Sequence, residues 1–138
     1  SESSKLHTMH CDEWSIDPSI TELDLSGKNL KAGDATFLAG IIKFSSPLTS
    51  VNLLRNNIGD GAAAVIAAAE QNGKIKTLCG IKPDQTKANF YNQNLKPADA
   101  QLLAFDLKFS SPLTDLNLRA NEIGVEGAKA LAEVLPKW

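Results

Sequence analysis

Two stretches decide the fold: LTSVNLLRNNI, residues Leu48–Ile58, and LTDLNLRANEI, residues Leu113–Ile123. Both follow the spacing L-x-x-L-x-L-x-x-N-x-L with an aliphatic residue at every L. In each, the alternation Val51/Leu53 or Leu116/Leu118 has the period of two that points side chains to one face of a strand. Asn56 and Asn121 follow among apolar residues, where a side-chain amide is expected to be buried and to bond backbone groups of neighbouring turns. Looser copies are ITELDLSGKNL at Ile20–Leu30 and QTKANFYNQNL at Gln85–Leu95. In these, Lys28 and Gln93 stand at the asparagine position and Ala88 at a leucine position.

The copies start at residues 20, 48, 85 and 113, in steps of 28, 37 and 28. A larger repeat encloses them. An offset of 65 pairs Trp14–Gly73 with Cys79–Trp138 and gives 24 identities in 60 pairs, including KFSSPLT at Lys43–Thr49 and Lys108–Thr114. Such self-similarity marks a repeat architecture. The long middle step contains KTLCGIKPD, Lys76–Asp84, and Ile75 and Leu78 sit where another turn of the repeat is due. This reads as an irregular short repeat over 75–84, a strand whose helix is replaced by a tight turn at Pro83-Asp84. Thr77–Cys79 and Lys87–Phe90 are then expected as strands of one parallel sheet, and the duplication calls for an equivalent short strand just before Trp14.

Each copy leads into an apolar stripe at helical spacing: Ala35/Leu38/Ala39/Ile42, Ala62/Val65/Ile66/Ala69, Ala100/Leu103/Ala104/Leu107 and Ala128/Leu131/Ala132/Leu135. Asp34, Asp60, Asp99 and Glu126 lie near the helix starts, where the dipole favours negative side chains, and Pro97 suits a first helical position. The phosphate-loop pattern is missing after Gly59-Asp60-Gly61, so these glycines read as a helix start.

These residues resemble the leucine-rich repeats, in particular the type with repeats of about 28 residues found in ribonuclease inhibitor, Ran GTPase-activating protein and nucleotide-binding innate-immune receptors. NEIGVEGAKALAEVL, Asn121–Leu135, is similar to that subtype's second half. The resemblance implies an α/β solenoid, a short right-handed horseshoe segment with a parallel sheet on the concave face and helices on the convex face. One domain is expected over residues 1–138, with 1–8 a disordered or foreign tail ahead of Met9 and 9–19 an N-terminal cap using Trp14 and Ile16.

Solenoids bind partners on the concave surface formed by outward strand positions. Here those positions give a polar ladder, Asp24, Asn52, Asn89 and Asn117, followed two residues later by Ser26, Leu54, Tyr91 and Arg119, with Arg55 beside them. An aromatic flanked by arginines is a common hot-spot composition. The candidate partner-binding set is Asn52, Leu54, Arg55, Asn89, Tyr91, Asn117 and Arg119, with Leu54 and Tyr91 expected in solvent. The resemblance implies a protein-interaction module. Its alternative is an enzyme regulator of the GTPase-activating or inhibitor type, in which Arg55 and Arg119 would make the working contacts.

Composition narrows the rest. The formal charge of −2 offers no electropositive footprint for nucleic acid or anionic membrane, and no apolar run approaches the ~20 residues that span a bilayer. Cys11 and Cys79 fall in no ligand spacing, and none of the ten Asn residues begins an N-x-Ser/Thr sequon, so a cytoplasmic chain with reduced thiols is expected. His7, His10 and Cys11 lie outside the repeats with no second ligand pair, so no metal, cofactor or catalytic set is predicted. Cys79 reads as a small core residue. A last expectation is pairing of two copies through a C-terminal flank left by Leu116, Leu118, Ile123, Leu131 and Val134.

Overall fold

The computed structural model describes residues 9–10, 15–16, 19–109 and 112–134. From β3 onward strands and helices alternate: β1 (Met9–His10), β2 (Ser15–Ile16), β3 (Glu22–Asp24), α1 (Ala32–Phe44), β4 (Ser50–Asn52), α2 (Gly61–Asn72), β5 (Lys87–Asn89), α3 (Pro97–Phe109), β6 (Asp115–Asn117) and α4 (Gly124–Val134). β3 pairs with β4 in parallel, Leu23 beside Val51, and β5 pairs with β6 in parallel, Ala88 beside Leu116. The chain is thus an α/β repeat built twice.

Alternation places Leu23, Leu25, Val51, Leu53 and Ala88 in the core, against Leu38, Ile42, Val65, Leu102 and Leu103 from the helices. Close approach of neighbouring helices depends on small residues. A Cβ at Gly61, the first residue of α2, would lie 2.6 Å from the Ala35 Cβ. In the last repeat the apolar stripe is Gly127/Ala130/Leu131/Val134, while Ala128 and Ala132 are exposed. This corrects the stripe expected at 128/131/132/135, of which Leu135 lies outside the described residues. The 65-residue offset itself carries Ala62/Val65/Ile66/Ala69 onto 127/130/131/134. Leu116, Leu118, Ile123 and Leu131 are only half-buried, whereas Val51, Leu53 and Ile58 in the second repeat are buried.

The single parallel sheet expected through the middle step is replaced by two separate pairs, β3–β4 and β5–β6. Thr77 bridges Ser50 in parallel, but Cys79 bridges Asn52 in the antiparallel sense, because the chain swings round at Gly80, φ +73°. The segment 77–79 therefore ends the first sheet and hands no ladder on to β5. From there the chain turns at Pro83-Asp84, with the Gln85 N–H donating to the Lys82 carbonyl at 3.1 Å, and enters β5 without a helix.

At the other end β1 and β2 form an antiparallel pair, Met9 beside Ile16. The counterparts of Thr77–Cys79, residues 12–14, lie outside the described residues, as do the 1–8 tail, Cys11, the Trp14 lid and Trp138.

Candidate functional site

The four repeat strands, β3 to β6, end in the same way. The Asn52, Asn89 and Asn117 Oδ1 atoms accept the N–H two residues on, from Leu54, Tyr91 and Arg119, at 3.1, 3.0 and 3.0 Å. Asp24 accepts both the Ser26 N–H, at 3.1 Å, and its hydroxyl, at 2.7 Å. Those bonds hold the Asp24 carboxyl below its ordinary value. The polar ladder is thus a set of side-chain turns that stop each strand.

Immediately beyond, Gly27, Arg55, Asn92 and Ala120 all have positive φ, between +53° and +64°. The left-handed residue swings the chain inward to Asn56 or Asn121. Asn56 is buried: its Oδ1 accepts the Lys28 and Leu30 N–H groups at 2.9 and 3.0 Å, and its Nδ2 donates to the Leu25 and Leu53 carbonyls at 2.9 and 3.0 Å. Asn121 repeats the arrangement with Gln93, Leu95, Phe90 and Leu118. Lys28 and Gln93, which break the template, stand where the next repeat's asparagine serves the backbone, so their own side chains are not needed there.

This geometry overturns the expectation for Leu54, which is only 3% exposed and belongs to the core. Strand alternation stops at Asn52, and the turn at Leu54–Arg55 no longer obeys a period of two. Tyr91, in contrast, is 55% exposed, and Arg55, Asn89 and Arg119 are exposed as well. Asn52 and Asn117 are half-buried. Register sets Asn89 beside Asn117, and the Phe90 and Asn92 N–H groups donate to the Asn117 and Arg119 carbonyls, so Tyr91 and Arg119 leave the second sheet side by side. Asn52 and Arg55 belong to the first sheet, where the Arg55 Nη2 reaches the Ser26 Oγ at 3.3 Å.

Two buried carboxylates on α3 join the sheets, and neither was in the predicted site. Asp99 accepts the Lys96 N–H at 2.8 Å, as a helix-start acid should, and also the Arg55 N–H of the preceding repeat at 2.9 Å. Burial raises its pKa. Asp106 is 1% exposed and accepts the Leu78 N–H at 2.8 Å and the Thr77 hydroxyl. Burial, outweighing the Thr77, Leu78 and Cys79 hydrogen bonds, pushes it up to about 7. The signal for it was present: in the IIKF/DLKF pair Asp106 replaces the half-buried Ile41 of the first unit, whereas the other positions are identical or exchange Ile42 for Leu107. A cleft of about 530 Å³ opens here, lined among others by Glu22, Ser50, Lys76, Thr77, Lys82 and Asp106. Cys79 is buried, and that burial pushes its thiol pKa well up, which keeps it protonated and unreactive.

With the strand, turn and asparagine geometry in place, the comparison with known families becomes informative. A leucine-rich-repeat family model matches residues 44–67 and 109–132. The model detects two leucine-rich repeats, one in each stretch. The two matched stretches lie 65 residues apart, and each runs from the end of one helix, through a strand and its backbone-bonded asparagine, into the next helix. No curated protein matches the chain. Among the described residues, no helix is long and apolar enough to cross a membrane, and no group of three or more His, Cys, Asp and Glu could hold a metal ion.

Proposed function

We propose that this chain is a protein-interaction module of the ribonuclease-inhibitor-like repeat type, which grips a protein partner on the concave, strand-bearing face of a short solenoid. Leucine-rich repeats generally mediate protein–protein contact, and the observation that carries the reading here is Tyr91. A large aromatic ring stands 55% exposed beside Arg119 at the end of β5, on a surface whose other members are amides and arginines. Aromatic and arginine side chains together supply apolar area with directional charge, the usual make-up of an energetic anchor.

Arg55 joins the set because it is exposed just beyond β4, at the position that follows the strand-ending turn. The contact set is then Arg55, Asn89, Tyr91 and Arg119. Asn52 and Asn117 act chiefly by stopping their strands, and Leu54 lies beneath the surface.

Quantitative affinity capture from the native cell, comparing the wild-type chain with Tyr91→Ala and Arg119→Ala, tests this reading. A partner retained by the wild type should be lost from both variants while their thermal midpoints stay unchanged. Retention of every captured protein by both variants would remove this face as the binding surface.

A further inference from the structure

We infer that copies of this chain stack head to tail. The front of one copy, formed by β1, β2 and the outer flank of α1, docks on the back of the next, formed by β6 and α4. The contact repeats between chains the junction that already joins the two repeat pairs within one chain. It goes beyond partner capture on the concave face and does not depend on it.

The internal junction shows what such a contact requires. One stripe of α3, Asp99, Leu102 and Asp106, is turned to the first pair: Asp99 accepts the Arg55 N–H, Asp106 accepts the Leu78 N–H and the Thr77 hydroxyl, and Leu102 is 0% exposed. Between the pairs, the segment 76–80 closes the outer edge of β4. The Val51 and Leu53 N–H groups donate to the Thr77 and Leu78 carbonyls at 3.0 and 3.1 Å, and the Lys76 and Gly80 N–H groups donate to the Thr49 and Val51 carbonyls at 2.8 and 3.1 Å. Val51, Leu53 and Ile58 are buried there.

Shifted by 65 residues, both halves of this junction recur on the outer sides of the two pairs. At the front, the α3 stripe becomes Asp34, Phe37 and Ile41, continued along the same face by Phe44. Phe37 is 44% exposed where Leu102 is buried, Ile41 is half-buried where Asp106 is buried, and Phe44 is 79% exposed. Two phenylalanines at i and i+7 with an isoleucine between them form an apolar stripe of the kind that packs against a neighbour. At the back, Leu116, Leu118 and Ile123 are half-buried, and among the described residues β6 pairs with β5 alone. Ala120 takes the place of Arg55 with nearly the same left-handed φ, +61° against +63°, but no described group accepts its N–H.

The two sides are complementary because the chain already joins their counterparts. Asp34 stands to the Ala120 N–H of a neighbouring copy as Asp99 stands to Arg55. β1 and β2 are the counterparts of 74–75 and 80–81, and their antiparallel pairing reverses the chain where Gly80 does. The front therefore carries the same kind of segment that closes β4, here offered to the open edge of β6. Ile41 in place of Asp106 spares this contact a buried carboxylate. A contact between unlike faces leaves a free front and a free back on every stack, so it propagates unless the rotation closes a ring. Pairing of two C-terminal flanks would instead stop at a dimer and leave the phenylalanines in water.

Sedimentation velocity and light scattering on the whole chain, from about 1 to 500 μM, test the stacking. The wild-type mass should rise with concentration. Phe37→Asp/Phe44→Asp blocks the front and leaves the back intact, so alone it should stay monomeric where the wild type associates, with its helical circular dichroism unchanged. Added in excess to the wild type, it should end the stacks and convert them to pairs of one wild-type and one variant chain. Should the double variant fail to fold, Phe44→Asp, at the more exposed ring, carries the same comparison. A wild type that is monomeric throughout leaves both flanks to a different protein and overturns the proposal. Association that the variant retains in full, or wild-type stacks that excess variant leaves unchanged, overturns it as well.

Discussion

The duplicated asparagines allow one internal experiment. Asn56→Ala deletes four close bonds, to the Lys28 and Leu30 N–H groups and the Leu25 and Leu53 carbonyls, all between 2.9 and 3.0 Å. Asn56 is only 4% exposed, so water does not readily replace the amide. Each orphaned buried group costs ~1–3 kcal/mol, and the carbonyls keep a second lone pair, so a total of about 3–5 kcal/mol is expected. Asn121→Ala deletes the same four bonds, at 2.8–3.0 Å, but this side chain is half-buried. Water can bridge the vacated groups there, which should limit the loss to about 1–2 kcal/mol. Asn56→Asp sharpens the comparison, since it keeps an acceptor toward Lys28 and Leu30 but sets an oxygen against the two carbonyls. At neutral pH it should cost at least as much as alanine. Urea unfolding, with the slope checked for constancy across variants, gives all three values. Equal losses at Asn56 and Asn121, or a larger one at Asn121, would refute the claim that burial sets the cost of these bonds.

Three further outcomes follow from the turn geometry. Leu53→Ala and Leu54→Ala should each lower stability by roughly 2–5 kcal/mol, while Tyr91→Ala should change it by less than about 1 kcal/mol; a Tyr91 loss matching the leucines in thermal melts would place its ring in the core. Gly80→Ala should destabilise by about 2–4 kcal/mol, because φ is +73° and the new Cβ would lie 2.8 Å from the Asn52 Nδ2. In an Asn52→Ser background the loss should shrink, and an undiminished loss would assign it to the backbone angle alone. Ala120→Gly should raise stability by up to about 1 kcal/mol, since relief of the left-handed strain at φ +61° exceeds the added unfolded-state entropy. Denaturation of that variant at a lower urea midpoint than the wild type would contradict the strain argument.

What could be read from the sequence was whatever repeats with a fixed period. The strands around Val51 and Leu116, the first three helix stripes and the backbone-bonding asparagines, Asn56 buried and Asn121 half-buried, follow from spacing, because burial of one face dictates the pattern. Leu54 was misread for a physical reason of the same kind. Alternation holds only while the backbone is extended, and template letters do not show that the extended stretch stops at Asn52 with a side-chain turn and a left-handed Arg55. The α4 stripe was misplaced by one residue although the 65-residue offset carried the right answer, so the duplication is a better guide to register than local composition.

The break between the sheets was the least legible feature, and the duplication explains why it became the site of buried charge. A repeat array normally passes its ladder from strand to strand, but the segment 77–81 reverses at Gly80 and leaves backbone donors that no neighbouring strand can satisfy. Side chains must then serve in place of a strand. Asp99 does so at Arg55 while keeping the helix-start bond that its counterpart Asp34 makes to the Lys31 N–H. Asp106 does so at Leu78 and, through Thr77, at Cys79 and Ile81. The same backbone demand that turns Ile41 of one unit into Asp106 of the other also brings a titratable group into the core.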